Sequence, residues 1–245
     1  DHWAVLVAGS KGYSNYRHQA DTAHAYQIMK KNGIADDHII HMAYDDIRNS
    51  RSNPFYGKMF NQPNGVDVAE GLKIDYTGRD NTPENFIAVL TGDSKTTGGK
   101  PVLESDSNSK VFVYFADHGA PGLIAFPSSY LYADTLGSAI ETMTEKKMFD
   151  QLVFYIEACE SGSMFPNLAS NTGVYAMTAA NATESSWGYY CYPDDTINGT
   201  HVNSCLGDTF SIRWMEDSDS HYVNSESLDT QHTHVKAQTD KSHVQ

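Results

Sequence analysis

The sequence predicts an α/β fold in which a mostly parallel central sheet is flanked by helices on both faces. Short, nearly continuous apolar runs rich in Val, Ile, Tyr and Phe recur along the chain, as in strands buried on both faces. Segments with helical spacing lie between them, and such alternation favours parallel strands joined by right-handed crossovers. A chain of 245 residues is long enough for one core of this kind, so we expect a single domain, 1–245.

Each predicted element has its own signal. The apolar runs predict strands over 3–8, 39–44, 111–116, 152–158 and 174–179. Caps, breakers and apolar spacing predict a helix after Gln19 that ends before Gly33, one that begins after Thr82, and others over 136–143, 206–214 and 225–235. We expect the polar residues 237–245 to fray, and the loop 92–110 is the longest candidate for mobility.

Composition excludes several partners. The formal net charge of -14 repels nucleic acid and anionic membranes. Eleven histidines would gain protons in acid, which is a weak sign of an acidic working environment. No run of eighteen apolar residues predicts a membrane helix, and the start at Asp1 without Met or a signal-like segment indicates a processed form.

The three cysteines are too few for a disulfide scaffold. Cys191 and Cys205 bracket a thirteen-residue stretch rich in turn formers and could close it as a disulfide in an oxidising compartment. Cys159 is then left over, either as a small buried hydrophobe or as a reactive thiol. Two sequons, at Asn181 and Asn198, are predicted glycan acceptors in the secretory pathway.

Polar residues follow two of the predicted strands directly. His118 and Gly119 follow the strand 111–116, and Cys159 follows the next strand along the chain. Because parallel strands end at the same edge of a sheet, a thiol and an imidazole would meet there, as nucleophilic catalysis requires. The N–H groups of Gly119 and Cys159 could form an oxyanion hole. These placements favour catalytic roles over a core thiol and a structural histidine.

Three motifs carry a resemblance to a known family. The segments NYRHQAD at 15–21, DHG at 117–119 and EACESG at 157–162 resemble the legumain family of asparaginyl endopeptidases, and shorter matches continue to about residue 235. The resemblance implies a caspase-like fold with Cys159 and His118 as the catalytic dyad and Asn15 as the residue that orients the imidazole. It also implies a specificity pocket made of Arg17, His18, Glu157, Ser185, Ser186 and Asp208.

That pocket makes chemical sense for an Asn side chain, which offers one carbonyl acceptor and two N–H donors. Arg17 can donate to the carbonyl, and Asp208 and Glu157 can accept from the amide. We therefore expect cleavage on the C-terminal side of Asn, and after Asp when acid protonates it.

The resemblance also implies a setting and partners. We expect protein and peptide substrates, cystatin-type inhibitors as candidate partners, a monomeric active form, and no cofactor or metal. The location expected is the secretory pathway, leading to a lysosome, vacuole or other acidic digestive compartment, or secretion. The family's C-terminal inhibitory domain is not in the sequence, so we expect the activated peptidase domain. A second Cys found in many legumains near Thr22 is replaced here.

Three alternatives stay open at this point. Some legumains transfer the acyl group to an amine and act as peptide ligases, a balance on which Ala120 and Pro121 are thought to bear. A catalytically silent binding protein would keep the fold without the chemistry. The transamidase subunit that attaches lipid anchors shares the dyad, but it normally carries a membrane segment.

Overall fold

The computed structural model describes residues 1–168, 172–220 and 226–245. In this part of the chain the helices are α1 (Tyr16–Lys31), α2 (Pro83–Thr91), α3 (Ala133–Glu145), α4 (Thr209–Ser220) and α5 (Leu228–Gln238). The strands are β1 (His2–Ala8), β2 (Ile39–Met42), β3 (Lys110–Ala116), β4 (Gly119–Ala120), β5 (Leu123–Ala125), β6 (Tyr130–Tyr132), β7 (Gln151–Glu157), β8 (Val174–Thr178), β9 (Gly188–Tyr189), β10 (Thr196–Ile197), β11 (Thr200–His201) and β12 (Gly207–Asp208).

Five strands form the central sheet in the order β2-β1-β3-β7-β8, and all four pairings are parallel. The longest pairings join β3 to β1 and to β7 over seven residues each, and Ala116 lies opposite Glu157. The chain crosses over between these strands through helices, as the predicted alternation requires. The predicted α/β class with a mostly parallel sheet is confirmed.

Helices cover both faces of the sheet. One apolar cluster joins Leu6 and Tyr155 of the sheet to α1, α4 and α5, with Trp214 among its largest buried side chains. The other joins Val113 and its neighbours to α2 and α3 through residues such as Phe86. Strands buried on both faces have no polar positions to alternate, which is why these runs read as continuous apolar segments.

Some predicted boundaries were wrong. The first helix begins at Tyr16, three residues before Gln19, and the predicted helix 206–214 begins only at Thr209, because Gly207 and Asp208 pair with β9 as strand β12. The predicted start of the last helix at residue 225 lies outside the described residues. Outside the central sheet there are three small antiparallel sheets: a three-stranded one, β4-β5-β6, and two two-stranded ones, β9-β12 and β10-β11.

The polar C-terminal residues were expected to fray, and this prediction was wrong. Val244 is fully buried, and Gln245 exchanges two backbone hydrogen bonds with Thr178 at the end of β8. The Ser242 hydroxyl donates to the carbonyl oxygen of Ala179 at 2.6 Å. Three buried residues, Thr239, Ser242 and Val244, and satisfied backbone groups fix this segment against the sheet.

None of the helices in the described ranges is long and apolar enough to cross a membrane.

Candidate active site

The ends of β3 and β7 place the two predicted catalytic residues at one edge of the sheet. Ala116 pairs with Glu157, and the backbone N–H of Asp117 donates to the carbonyl of Glu157 at 3.1 Å. His118 therefore leaves β3 beside the point where Cys159 leaves β7. The parallel register brings together residues that are forty-one positions apart in the sequence.

The imidazole of His118 is exposed and held from one side. Its Nε2 lies 2.9 Å from Oδ1 of Asn15, and the amide nitrogen of Asn15 donates to the carbonyl of Lys11 at 2.9 Å. With the amide oriented in this way, Nε2–H of His118 donates to Asn15. Nδ1 of His118 is then left with a lone pair that can accept a proton.

Cys159 is half-buried, and it is a free thiol in a sharp turn. Glu160, the next residue, has a left-handed backbone (φ 50°), and its N–H donates to the carbonyl of Glu184 at 2.7 Å. The carbonyl oxygen and the hydroxyl of Ser186 lie 3.8 and 3.9 Å from Sγ. The turn and these two contacts fix the direction of the thiol.

Gly119 packs directly against the backbone of Cys159. A Cβ at this position would collide with the carbonyl oxygen of Cys159, so only glycine fits without movement. The N–H of Ala125 in β5 donates to the carbonyl of His118. Because bonded and unbonded residues alternate in antiparallel pairs, the N–H of Gly119 points away from β5. It is available to a substrate carbonyl, as an oxyanion site needs.

Arg17 and Asp208 form the charged part of the predicted pocket. Nε of Arg17 donates to Oδ1 of Asp208 at 2.9 Å, and the Arg17 side chain remains 17% exposed. Burial opposes the charge on the guanidinium, but Asp208, Asp21 and Glu157 outweigh it and raise the pKa of Arg17. The guanidinium can therefore donate to a ligand while it stays paired.

His18 and Glu157 are the most deeply buried members of the predicted pocket, and each is about 1% exposed. His18 Nδ1 lies 2.7 Å from the Ser10 hydroxyl, and its Nε2 lies 3.5 Å from Oδ2 of Asp208. Burial, opposed by Asp208 and reinforced by Arg17, lowers the pKa of His18 to about 3. His18 is therefore a neutral support behind Asp208.

Glu157 is predicted to accept from the substrate amide, and its Oε1 has no hydrogen-bond partner among the described residues. Its Oε2 accepts from the N–H and the hydroxyl of Ser211 at 2.8 and 2.9 Å. Burial, with the Asp208 carboxylate beside it, raises the pKa of Glu157 to about 8. Glu157 is therefore a buried acid that keeps its proton in mild acid, and Asp208 is the carboxylate paired with Arg17.

Comparisons with known proteins agree with this geometry. The model of the peptidase C13 family matches residues 2–245. Legumain from Mus musculus is 52% identical over 246 residues, which cover 99% of this chain and 55% of that protein. The vacuolar-processing enzyme delta-isozyme from Arabidopsis thaliana is 49% identical over 238 residues, which cover 96% of this chain and 51% of that protein.

The chain belongs to the peptidase C13 family. The resemblance to legumain is thereby confirmed. The hemoglobinase of Schistosoma mansoni is a further relative, 51% identical over 244 residues that cover 99% of this chain and 55% of that protein. The chain spans about half the length of the curated relatives it matches.

A solved structure supports the fold of this C13 domain. Caspase-1 from Spodoptera frugiperda aligns with a TM-score of 0.54 at 12% identity, covering 97% of this chain and 75% of that chain. At this identity the likeness concerns the fold alone. The predicted caspase-like architecture is confirmed.

Three site residues of this C13 domain escaped the sequence analysis. Asp21 is fully buried, where it accepts from the N–H of Asp208 at 3.2 Å and from the Asn61 amide at 2.7 Å. Ser211 holds Glu157. Asp117 is buried beside His18, and burial raises its pKa to about 7, opposed by contacts with His118. Asp21 lies four residues after Arg17 on α1, so helical spacing was the available signal.

The remaining predicted residues surround the site of this C13 domain. Cys191 and Cys205 form a disulfide, as their spacing allows, and it lies next to the β9–β12 pair that carries Asp208. Both Ser185 and Ser186 were predicted for the pocket; Ser185 is exposed, and Ser186 contacts Cys159. Asn198 is exposed between β10 and β11. Asn181 is half-buried and accepts from the N–H of Thr183 at 2.9 Å.

Proposed function

We propose that this chain is a cysteine endopeptidase that hydrolyses peptide bonds on the C-terminal side of Asn, and of Asp when acid protonates it. The observation that supports it most is the placement of Cys159 and His118 at adjacent parallel strand ends, with the Arg17–Asp208 pair at the same edge. The C13 relatives align with nearly the whole of this chain at about 50% sequence identity, which supports the same activity.

The mechanism follows from the orientation of His118. Its Nδ1 takes the thiol proton of Cys159, and the thiolate attacks the carbonyl carbon of the scissile bond. The negative charge that develops on the carbonyl oxygen is stabilised by the N–H of Gly119. The imidazolium, steadied by Asn15, then gives its proton to the leaving amine, so that the amine departs and a thioester remains. Water, deprotonated by His118, hydrolyses the thioester and restores the thiol.

Selection of Asn uses opposite ends of its carboxamide. The carbonyl oxygen accepts from Arg17, and the amide N–H donates to Asp208, which is paired with Arg17 at 2.9 Å. A charged Asp would place a second anion beside Asp208 and be repelled, whereas a protonated Asp offers the same donor and acceptor pattern as Asn. Asp21 accepts from the N–H of Asp208 at 3.2 Å and His18 lies beside its carboxylate, so both support Asp208 from behind.

A peptide library is the decisive test of this proposal. Products read by mass spectrometry at mildly acidic pH should carry Asn at the new C-terminus, and Cys159→Ala should abolish them. Cleavage after unrelated residues would overturn the specificity, and an active Cys159→Ala variant would overturn the dyad. Adding an amine nucleophile extends the test, because transfer of the acyl group to the amine in place of hydrolysis would make the chain a ligase.

The relatives also support a setting. We propose protein substrates and an acidic compartment, since one relative is a vacuolar-processing enzyme. Cystatin-type inhibitors, a monomeric active form and glycans at Asn181 and Asn198 are further proposals. Asn198 is the better acceptor of the two because its side chain is exposed.

A further inference from the structure

Three side chains at the end of β3 and the start of α1 have the composition of a metal site. His18, Asp117 and His118 each offer one ligand atom, and these atoms lie within 4.8 Å of one another. His18 Nδ1 lies 3.2 Å from Oδ1 of Asp117. With bonds of about 2.0–2.2 Å, the edge between two ligands of a tetrahedral Zn²⁺ is about 3.4 Å. The His18–Asp117 pair therefore already has the required separation.

In both histidines Nδ1 is the ring nitrogen offered as a ligand. Nε2 of His118 lies on Asn15 at 2.9 Å, which leaves Nδ1, and Nδ1 of His18 is the nitrogen that lies next to Asp117. Histidines that bind metals usually donate one ring N–H to an oxygen acceptor and coordinate through the other nitrogen. Nδ1 is thus the ligand atom of both rings.

Of the three ligand atoms, the carboxylate oxygen is the buried one that lacks a hydrogen-bond partner among the described residues. Oδ1 of Asp117 is buried and accepts no hydrogen bond from any described residue. Nδ1 of His18 accepts a hydrogen bond from the Ser10 hydroxyl, which lies 2.7 Å away. This hydroxyl can rotate away when a cation binds to Nδ1. A buried carboxylate oxygen without a donor is costly, and a cation would relieve that cost.

We propose that His18, Asp117 and His118 bind one Zn²⁺ ion and that this ion inhibits the enzyme. Nitrogen and carboxylate ligands with a fourth, open position are typical of zinc. His118 is exposed, so its ring can move the last distance, at most about 1.4 Å, to complete the tetrahedral spacing. A bound ion occupies the lone pair of Nδ1 that would take the thiol proton.

Binding is tested on the Cys159→Ala protein, which removes the thiol as a competing ligand. Equilibrium dialysis should find one tightly bound Zn²⁺ per chain, and Co²⁺ should give the visible absorption of a tetrahedral site. On this background His118→Gln and Asp117→Asn should each weaken binding by about tenfold or more. If Asp117→Asn fails to fold, the exposed His118 still provides the test.

The matched control is Asp217→Asn, because Asp217, Glu226 and His234 form a second group with ligand atoms equally close. This variant should bind Zn²⁺ as tightly as its parent. Loss of the ion in Asp217→Asn, with His118→Gln unaffected, would overturn the site. So would a wild-type protein that binds Zn²⁺ while Cys159→Ala does not, since the thiolate would then be a ligand.

The inhibitory half of the proposal rests on the proposed peptidase activity. Zn²⁺ at the concentration that saturates the Cys159→Ala protein should abolish at least nine tenths of peptide hydrolysis, and a chelator should restore it. Full activity with the site saturated would refute inhibition. A chain that binds Zn²⁺ as described but cleaves no peptide without it would instead refute the proposed function and leave the metal site standing.

Discussion

At the carboxyl edge of the central sheet, β3 is followed by Asp117 and His118, and β7 is followed closely by Cys159. The largely buried Arg17–Asp208 ion pair lies at the same edge. At the amino edge the same strands begin with exposed Lys110 and Gln151, which border a groove of about 850 Å³. Apolar and aromatic side chains line much of that groove, Trp214 among them. The two edges belong to the same strands, but one carries polar and charged side chains and the other borders a mainly apolar groove.

The difference teaches that cavity size does not locate the chemistry in this fold. The large groove holds neither of the dyad residues. Strand direction is the better guide, because loops that follow parallel strands converge at the carboxyl edge and can carry side chains free of sheet pairing. Variants at the two edges should therefore separate catalysis from stability.

The largest effect should come from Asp208→Asn. It leaves the Arg17 guanidinium, only 17% exposed, without its counter-charge, and breaking a buried pair costs about 3–5 kcal/mol. We expect kcat/KM for an Asn substrate to fall by about 100-fold or more. The control is Asp45→Asn, which breaks the more exposed pair with Arg48 and should change kcat/KM less than about twofold. Equal losses in both variants would contradict a special role for the pocket pair.

The second largest loss of activity, after that of Asp208→Asn, should come from Gly119→Ala. The new Cβ collides with the carbonyl oxygen of Cys159, so the backbone that carries the oxyanion donor must move. A displacement of about 1 Å can cost about 100-fold, and we expect that loss mainly in kcat. Gly137→Ala on α3, where a Cβ meets nothing, is the control and should keep full activity. An active Gly119→Ala enzyme would show that the close approach is not needed for catalysis.

The next effect is smaller than those of the two substitutions and concerns how the free energy of unfolding changes with pH. The direction of this change follows from the raised pKa of Glu157. Folding raises the pKa of this acid from 4.5 to about 8, so between those values the folded chain keeps a proton that the unfolded chain has released. The free energy of unfolding should therefore be highest in acid and fall as pH rises toward 8, by at most about 1.4 kcal/mol per pH unit for one group. The raised pKa of Asp117, about 7, acts in the same direction.

Urea denaturation at a series of pH values checks this prediction. Glu157→Gln should give a shallower slope of unfolding free energy against pH than the wild type. The exposed acid Glu145 on α3 supplies the control variant, Glu145→Gln, whose slope should match the wild type. Identical slopes in all three proteins would remove Glu157 from the explanation.

The smallest effect is expected at the amino edge, from Ser227→Ala. Ser227 lines the groove and caps α5, where its hydroxyl accepts from the N–H of Thr230 at 3.2 Å. Loss of such a cap costs about 1 kcal/mol of stability. Peptide hydrolysis at a temperature well below unfolding should be unchanged, and a kinetic defect here would break the separation between the two edges.

The placement of His118 and Cys159 at one sheet edge was predictable from the sequence because local signals and sheet geometry agree there. Apolar runs that end abruptly in Asp117 and Glu157 mark strand ends, and parallel pairing makes His118 and Cys159 neighbours without any further information. The same reasoning explains why the core strands were found while the short antiparallel pairs were not, since two-residue strands such as β12 leave no periodic pattern.

The residues that form and support the predicted pocket could not be predicted from strand ends and apolar patterns. Arg17 and Asp208 are 191 positions apart, so only the family resemblance joined them in advance. Asp21 and Glu157 are buried acids, against the usual preference of acids for the surface, and their burial depends on partners brought from Asn61 and Ser211. The C-terminal segment was misjudged because its polar composition gave no sign that Thr239, Ser242 and Val244 would be buried.

The central place of β3 has a consequence for how the molecule opens. This strand is bonded to β1 and β7 along its whole length, and buried central strands exchange their amide hydrogens only when the entire domain unfolds. His118, the proposed base, thus directly follows the strand whose backbone we expect to open most slowly. On heating, the loss of peptide hydrolysis should coincide with global unfolding rather than precede it, and amide exchange along β3 would report both events at once.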